Sequence, residues 1–581
     1  MREPIQIVEI DLDYCSRTFG VGVCTASLGG DVLRKCYNTW STCRLKSAYK
    51  KTSLTLRFIK QSASMPRGGN YIPALVSASG RGGEVNIAGS DDRLSSLGQR
   101  AKVSCKFVDF VDSDRLTDKY QAERVSGAAQ IDEGGYNPRD RLTFFTKLKA
   151  RNPNYAGRPL RIIDGYLDGG VLTVDTTRHY VMTSFDGPDT SGYVTIEAKD
   201  VLTLADDEKA VAPKASNGFL SADITATDTT VTLLPAGVGA EYAASGWAVI
   251  GSEIVSFTRS GDVLTIVRGR RGTVAATHSV NDTVQQTFSV RRARVDDTIY
   301  DLLVNYASLP ASYINMSDWA DEIDRWAPML KLTTDICKPE GVSKLIGELA
   351  ILGLSIWWDE TSQKIRLKVN RPPDQDAVHD ISDRNNLIKI SQEDREEDRL
   401  TRVGFWTVQI DPTKGLSTDN FLRQRLVIDV DAENVNNHNG QRNKTIYCRW
   451  LNHGDDSTVR VLAKRLLLRF NRQPVRYVME VDYKDDMSLA DVMRLSSRVN
   501  ADESGKPANT LMQVIKREDI QSGHAVRLIA QKFQFDQRYG YITEDTRPTY
   551  SASSAAQKAR GCYIVGNTLT FGDGTGPYLI I

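Results

Sequence analysis

Four of the eight cysteines in this 581-residue chain fall at positions 15, 24, 36 and 43, and the other four are scattered singly over the remainder. Thiols gathered this densely restrict what the segment can become. Cys15, Cys24, Cys36 and Cys43 either chelate a soft metal centre, pair as disulfides, or lie buried as small apolar groups. The preceding stretch, MREPIQIVEIDLDYC, carries acidic residues and lacks the basic start and long apolar run of a secretory signal. Folding in a cytoplasm is therefore expected, where thiols stay reduced, and this argues against a disulfide framework.

The spacing leaves three readings open. Eight residues separate Cys15 from Cys24, eleven separate Cys24 from Cys36, and six separate Cys36 from Cys43, so there is no CxxC knuckle of the kind zinc ribbons use. A four-cysteine iron–sulfur cluster tolerates longer loops, although the spacing departs from the ferredoxin patterns. Zinc and four unligated thiols are the alternatives. Arg17, Arg34, Lys35, Arg44 and Lys46 would offset thiolate charge, and Gly20, Gly22, Gly29 and Gly30 would let the backbone wrap closely around sulfur.

The run DLDYCSRTFGVGVC, followed by CYNTWSTC and LTLRF, resembles the cysteine region of baseplate hub proteins in long, non-contractile phage tails. Its outer spacings are similar to those of lambda-type tail tip proteins and gene transfer agent hubs. That resemblance implies a [4Fe–4S] cluster on Cys15, Cys24, Cys36 and Cys43. In the lambda-type proteins the middle gap is longer and the cysteines lie near the C-terminus, so this chain resembles a rearranged version.

Length and charge bound the rest. A 64.5 kDa chain exceeds what one core supports and predicts roughly three to five domains. Lys plus Arg total 74 against 73 for Asp plus Glu, which gives no global attraction to nucleic acid or acidic membranes and makes proteins the expected partners. The apolar run Leu349–Trp358 is too short to span a bilayer. Between Arg141 and Leu204, runs such as RPLRIIDGYLDGG and SGYVTIEAKDV predict a small antiparallel barrel. A polar linker then leads to a second β-rich block, Phe219 to Val290, with a hairpin turn at Arg259–Asp262 and a basic face formed by Arg259, Arg268, Arg270 and Arg271.

Helical periodicity follows. Ile299, Leu302, Leu303 and Tyr306 share one face behind an Asp296 or Asp297 cap; Trp319, Ile323 and Trp326 share another behind Ser317; Val342, Leu345, Ile346, Leu349 and Leu352 share a third. LSIWWDETSQKIRLKVN predicts a hairpin. This order of elements is similar to the middle domain of tail hubs, which separates two related barrels. The block from Arg399 to Thr546 would be the second barrel, with an amphipathic helix burying Val459, Leu462, Ala463, Leu466, Leu467 and Phe470 and presenting Lys464, Arg465, Arg469 and Arg472 outward.

Enzyme signatures are missing: no HExxH, Walker A, GxSxG or Rossmann fingerprint occurs. Asp429, Asp431 and Glu433 have calcium-loop spacing without the required glycine and final glutamate. The expected chain is multidomain and mainly β with α+β parts: a four-cysteine region (1–60), a first hub barrel (61–212), an inserted β domain (213–290), a helix-plus-hairpin middle domain (291–382), a second hub barrel (383–550) and a C-terminal docking segment (551–581). The resemblance implies a non-enzymatic virion protein assembled in the bacterial cytoplasm, a homotrimer that meets distal tail, fibre, central spike and tape measure proteins and touches DNA only in passage. An iron–sulfur electron-transfer protein and a glycan-binding or depolymerising tail protein are the rival classes.

Overall fold

A computed structural model describes residues 2–25, 36–87, 97–126 and 136–533, the last with short gaps at 374–375, 435–439, 455, 473, 503 and 522–524. Beyond 533 only two-residue strands are described, so the expected docking segment 551–581 lies essentially outside the described residues. The protein is mainly β. Among the described residues, no helix is long and apolar enough to cross a membrane.

Seven strands close into a barrel: β1 (Glu3–Cys15), β2 (Lys51–Lys60), β3 (Tyr71–Arg81), β4 (Lys102–Val108), β5 (Pro159–Asp168), β6 (Val171–Asp186) and β7 (Tyr193–Lys199), in the order β1-β2-β3-β4-β7-β6-β5. Pairing of β1 with β5 shuts the ring. The cysteine segment is thus no separate region ending at 60. It is the connection between two barrel strands, and the barrel begins at Glu3 rather than at 61. One seam, β2 to β3, is parallel, so the barrel is not wholly antiparallel as expected.

The even positions of β1, Val8, Ile10 and Leu12, point into the barrel core. Two short helices interrupt the path from β4 to β5, α1 (Gln121–Val125) and α2 (Phe144–Arg151). α2 sends Phe144, Phe145 and Leu148 into that core, where Phe145 meets Phe58 and Phe107 at centroid distances of 5.6 and 5.3 Å.

After β8 (Val211–Ala212), the inserted domain is one six-stranded sheet with its own core: β9 (Phe219–Leu220), β10 (Thr230–Leu234), β11 (Ser245–Ile250), β12 (Glu253–Ser260), β13 (Val263–Arg270) and β14 (Val284–Gln286). The predicted hairpin is present, and Gly261 supplies the left-handed turn conformation at φ +61°. The expected basic face is not a free one. Arg268 is half-buried and forks onto the buried Glu253 carboxylate at 2.8 and 2.7 Å, and Arg271 stacks on Trp247 at 4.0 Å.

The middle body contains β15 (Phe288–Arg294), α3 (Val295–Asp301) continued by a π turn to Tyr306, α4 (Met316–Trp326), β16 (Lys331–Ile336), β17 (Glu340–Gly341), α5 (Val342–Ala350) and the hairpin β18 (Leu354–Asp359)–β19 (Lys364–Val369). The three predicted apolar faces are buried, and the hairpin register sets Ile356 against Leu367 and Trp358 against Ile365. Asp296 and Asp297 lie in the first turn of α3 instead of capping it, and Ser317 lies inside α4. Trp319 Nε1 donates to the Ile365 carbonyl at 3.0 Å, tying α4 to the hairpin.

The last block departs most from expectation. β22 (Arg402–Gln409), β23 (Phe421–Ile428) and β24 (Asn443–Tyr447) form a separate sheet that joins the middle core together with α6 (Asp456–Phe470). The other strands are β20 (Val378–Ser382), β21 (Leu387–Asp394), β25 (Val475–Asp482), β26 (Val492–Ala501), β27 (Pro507–Gln521) and β28 (Ala525–Lys532). They make an open six-stranded sheet, a half-barrel rather than a second closed barrel. α6 lies between the middle core and this sheet, so its apolar face is buried as predicted while Arg465 and Arg469, expected outside, are buried too. Arg469 donates to Gln513 Oε1 at 3.0 Å and stacks on Phe533 at 4.5 Å.

Barrel and half-barrel meet where the end of β3 runs against β27. Val85 N donates to the Ile515 carbonyl at 2.8 Å, and a Cβ at Gly82 would sit 1.3 Å from the Arg517 carbonyl oxygen. A buried and a half-buried arginine fill the same junction. Arg178 reaches Asp164 and Asp519, and Arg517 reaches Asp486 and Asp519.

Two outcomes are expected. Gly82→Ala should destabilise this junction by about 1–3 kcal/mol; hydrogen exchange should rise at 82–86 and 513–519, with β5 and β6 unchanged. In the inserted domain, burial alone would raise the Glu253 pKa, but Arg268, His278 and two backbone N–H groups override it and bring it down to about 2. A carboxylate depressed from the usual 4.5 contributes stability that is complete above that value and is lost as pH falls through about 2. Exchange protection of β12 and β13 should therefore drop between those pH values in the natural chain, and Glu253→Gln should flatten the drop.

Candidate cysteine site on the barrel rim

Cys15 is the last residue of β1, directly opposite Lys51 at the start of β2. The segment between them therefore leaves and returns at one point of the barrel rim. Its return is stitched by Ser16 N to the Lys50 carbonyl at 2.9 Å and by Cys15 N to the Asn38 carbonyl at 2.7 Å. Gly20 and Gly22 take left-handed conformations at φ +75° and +63°, and so serve the tight path expected of them.

All four cysteines, 15, 24, 36 and 43, line one small cavity, whose other walls include Phe19, Leu45, Ala48, Tyr49 and Tyr120. Cys15, Cys24 and Cys36 are buried and Cys43 half-buried. Asn38 N donates to Cys36 Sγ at 3.3 Å, and Cys43 Sγ donates to the Leu45 carbonyl at 3.3 Å. Burial pushes the Cys36 thiol up to about 11, with Cys43 and Cys15 acting in the same direction and Arg124 against it. Arg17 and Arg44 line the cavity as the charge argument required, while Lys46 turns away to the Trp40 carbonyl and ring. Arg34, Lys35, Gly29 and Gly30 lie outside the described residues.

The thiols share a cavity without clasping one another. Among the described residues, no three His, Cys, Asp or Glu side chains form the close group that holds a single ion. Four sulfurs on one zinc stand under about 4 Å apart, because each Zn–S bond is about 2.3 Å. Four thiols around one small apolar space are a donor set of the soft type.

What the sequence reading missed is the wall behind the site. The charge-dense stretch from Asp109 to Arg124, together with α2, supplies Tyr120, whose hydroxyl accepts from Phe19 N at 2.6 Å. It also supplies Lys119, whose N–H donates to Tyr14 OH at 3.1 Å. Tyr14 in turn donates to Asn38 Oδ1 at 3.2 Å.

The other candidates resolve into structural contacts. Glu433 is gripped by Arg402 at 2.5 and 2.7 Å, and Asp429 accepts from Ala432 N and Asn471, so the calcium-like trio does not converge. A larger cavity at the barrel–half-barrel junction is lined by Arg178, Arg517 and Asp486; Arg517 pairs with Asp486, and both arginines reach Asp519.

No family model matches the chain, and no curated protein matches it. Among solved structures it is similar to a tail protein from Neisseria meningitidis (11% identity, TM-score 0.35, covering 79% of this chain and 98% of that one). It is also similar to the 43 kDa tail protein of prophage MuSo2 from Shewanella oneidensis (9% identity, TM-score 0.33, 79% and 97%). A third similar structure is a Francisella PdpA–VgrG complex (9% identity, TM-score 0.35, 95% and 60%).

Exposure sets an order of thiol reactivity. In metal-free, reduced protein, Cys43 should be alkylated first, and Cys15, Cys24 and Cys36 at least about tenfold more slowly, because a buried thiol is shielded from reagent. Peptide mapping after timed iodoacetamide pulses reads this directly, and equal rates at all four would show that the cavity is open.

Proposed function

We propose that the protein is a structural hub of a phage tail tip, carrying a [4Fe–4S] cluster on Cys15, Cys24, Cys36 and Cys43. The observation that carries the cluster is the convergence of these four thiols on one apolar cavity at the barrel rim. The order of bodies supports the hub in part: a closed barrel precedes a helix-and-hairpin middle body, and a half-barrel stands where the resemblance implies a second barrel. In this reading three copies form a ring between a sixfold tail tube and threefold fibre or spike proteins, with distal tail and tape measure proteins as further neighbours. Displacement of the bodies opens it for DNA. No reaction is assigned; the cluster cross-links four points of a loop segment, and its thiolates come from this chain alone.

Zinc is the second reading, favoured only if the thiols draw together on binding. Anaerobically purified protein should show a broad absorbance at about 400 nm and carry about four irons and matching sulfide per chain. Stoichiometric zinc without sulfide would sink the cluster. Cys36→Ser should remove it, while β1 and β2 remain protected by the barrel. A solution mass three times 64.5 kDa would support the ring, and a strict monomer in purified virions would end it.

A further inference from the structure

We propose that Arg124 is a positioning residue for the cysteine site, holding Cys36 and the turn leading to Cys43 in place before any cluster is present. The proposal rests on the cluster reading above. Arg124 lies in α1 and is wholly buried, a costly place for a guanidinium unless its contacts are specific. Its Nε donates to the equally buried Asp118 Oδ2 at 2.6 Å, and its Nη2 donates to the Cys36 carbonyl. The arginine therefore grips the backbone of a ligand residue from the side away from solvent.

Tyr37, the next residue, is held twice. The Arg124 guanidinium lies 4.2 Å from the Tyr37 ring centroid and that of Arg151 lies 4.1 Å from it. Both guanidiniums thus lie over the Tyr37 ring, each contact favourable by the ring's quadrupole. Arg151 is itself fixed by Asp114 at 2.8 Å, and its carbonyl accepts from Ser41 Oγ at 2.5 Å. Within the turn, Tyr37 N donates to Thr42 Oγ1 at 3.1 Å. The path from Cys36 to Cys43 is thus clamped to the barrel by two buried ion pairs, and none of these contacts needs a metal.

The test uses the full chain with Arg124→Gln, Arg124→Lys and Tyr37→Leu, the last sparing the buried charges in case the arginine variants misfold. Iron and sulfide per chain, chelator-driven iron loss, and hydrogen exchange of metal-free protein are measured. Arg124→Gln is expected to weaken iron retention about 10–100-fold, the usual effect of removing a partner that orients a ligand. Exchange protection at residues 36–43 should be lost in the metal-free protein while β2 and β5 keep theirs, with Arg124→Lys and Tyr37→Leu intermediate. Unchanged protection at 36–43 in Arg124→Gln overturns the proposal, as does a loss spread evenly through the barrel. Natural protein that takes up no iron overturns the cluster reading instead, and the exchange measurement still decides the role of Arg124.

Discussion

The structure depends on one strand being zipped on both sides. β1 pairs with β2 along one edge and with β5 along the other, and only the second pairing turns a curled sheet into a ring without edges. Side chains on its outer face reinforce both seams. Glu9 accepts from Arg57 at 2.7 Å and from Arg161 at 2.8 Å, Asp11 accepts from Arg161 at 2.6 Å, and Asp13 pairs with Lys51 at 3.0 Å. These bridges lie partly exposed, so their net contribution is small and their worth lies in fixing register. Register matters here because it places Cys15 opposite Lys51, and this decides where the cysteine segment is hung.

A loop hung from one point needs something else to give it shape. The connection from β4 to β5 provides it, with α2 plugged into the core by Phe144 and Phe145 and its Arg151 laid over the Tyr37 ring. Asp114 sits buried among Lys147, Arg151 and Tyr136, and Asp118 sits buried against Arg124. Truncating one member of such a set leaves a charge stranded, so these residues specify a geometry more than they add stability.

Legibility followed how much of each element one periodicity can describe. α4, α5 and the β18–β19 hairpin were readable because each buries a single face, and Trp319, Leu345 and Ile356 announce it. β1 was missed because its alternation breaks: Ile5 and Ile7 bury on the outer face in a small cluster with Ile59, then Val8, Ile10 and Leu12 bury on the inner one. α6 was half-read for a related reason. Its apolar stripe is real, but a sheet covers the opposite side, and Arg465 and Arg469 are buried in a place that a charge pattern labels as solvent. The closure of the first barrel and the openness of the second sheet depend on pairing between distant strands, which local sequence does not encode. For the site, the four cysteines were legible as one group of thiols, whereas Arg124 and Asp118 were one charged pair among dozens until the fold buried them.

This last point changes how the cysteine segment is understood. On sequence alone, a loop-rich stretch with little apolar content needs its metal in order to be ordered at all, and ligation and folding become one event. The structure divides those roles. Phe19, Ala48 and Tyr120 form a small core with Cys24 and Cys36, while the arginine clamp fixes Tyr37 from behind. The four cysteine positions are thus ordered by barrel pairing, packing and buried charge, none of which involves sulfur coordination. A site ordered in advance binds with less entropy lost on ligation, so a cluster bound there, as we propose, would lock an existing arrangement rather than serve as the nucleus around which it forms.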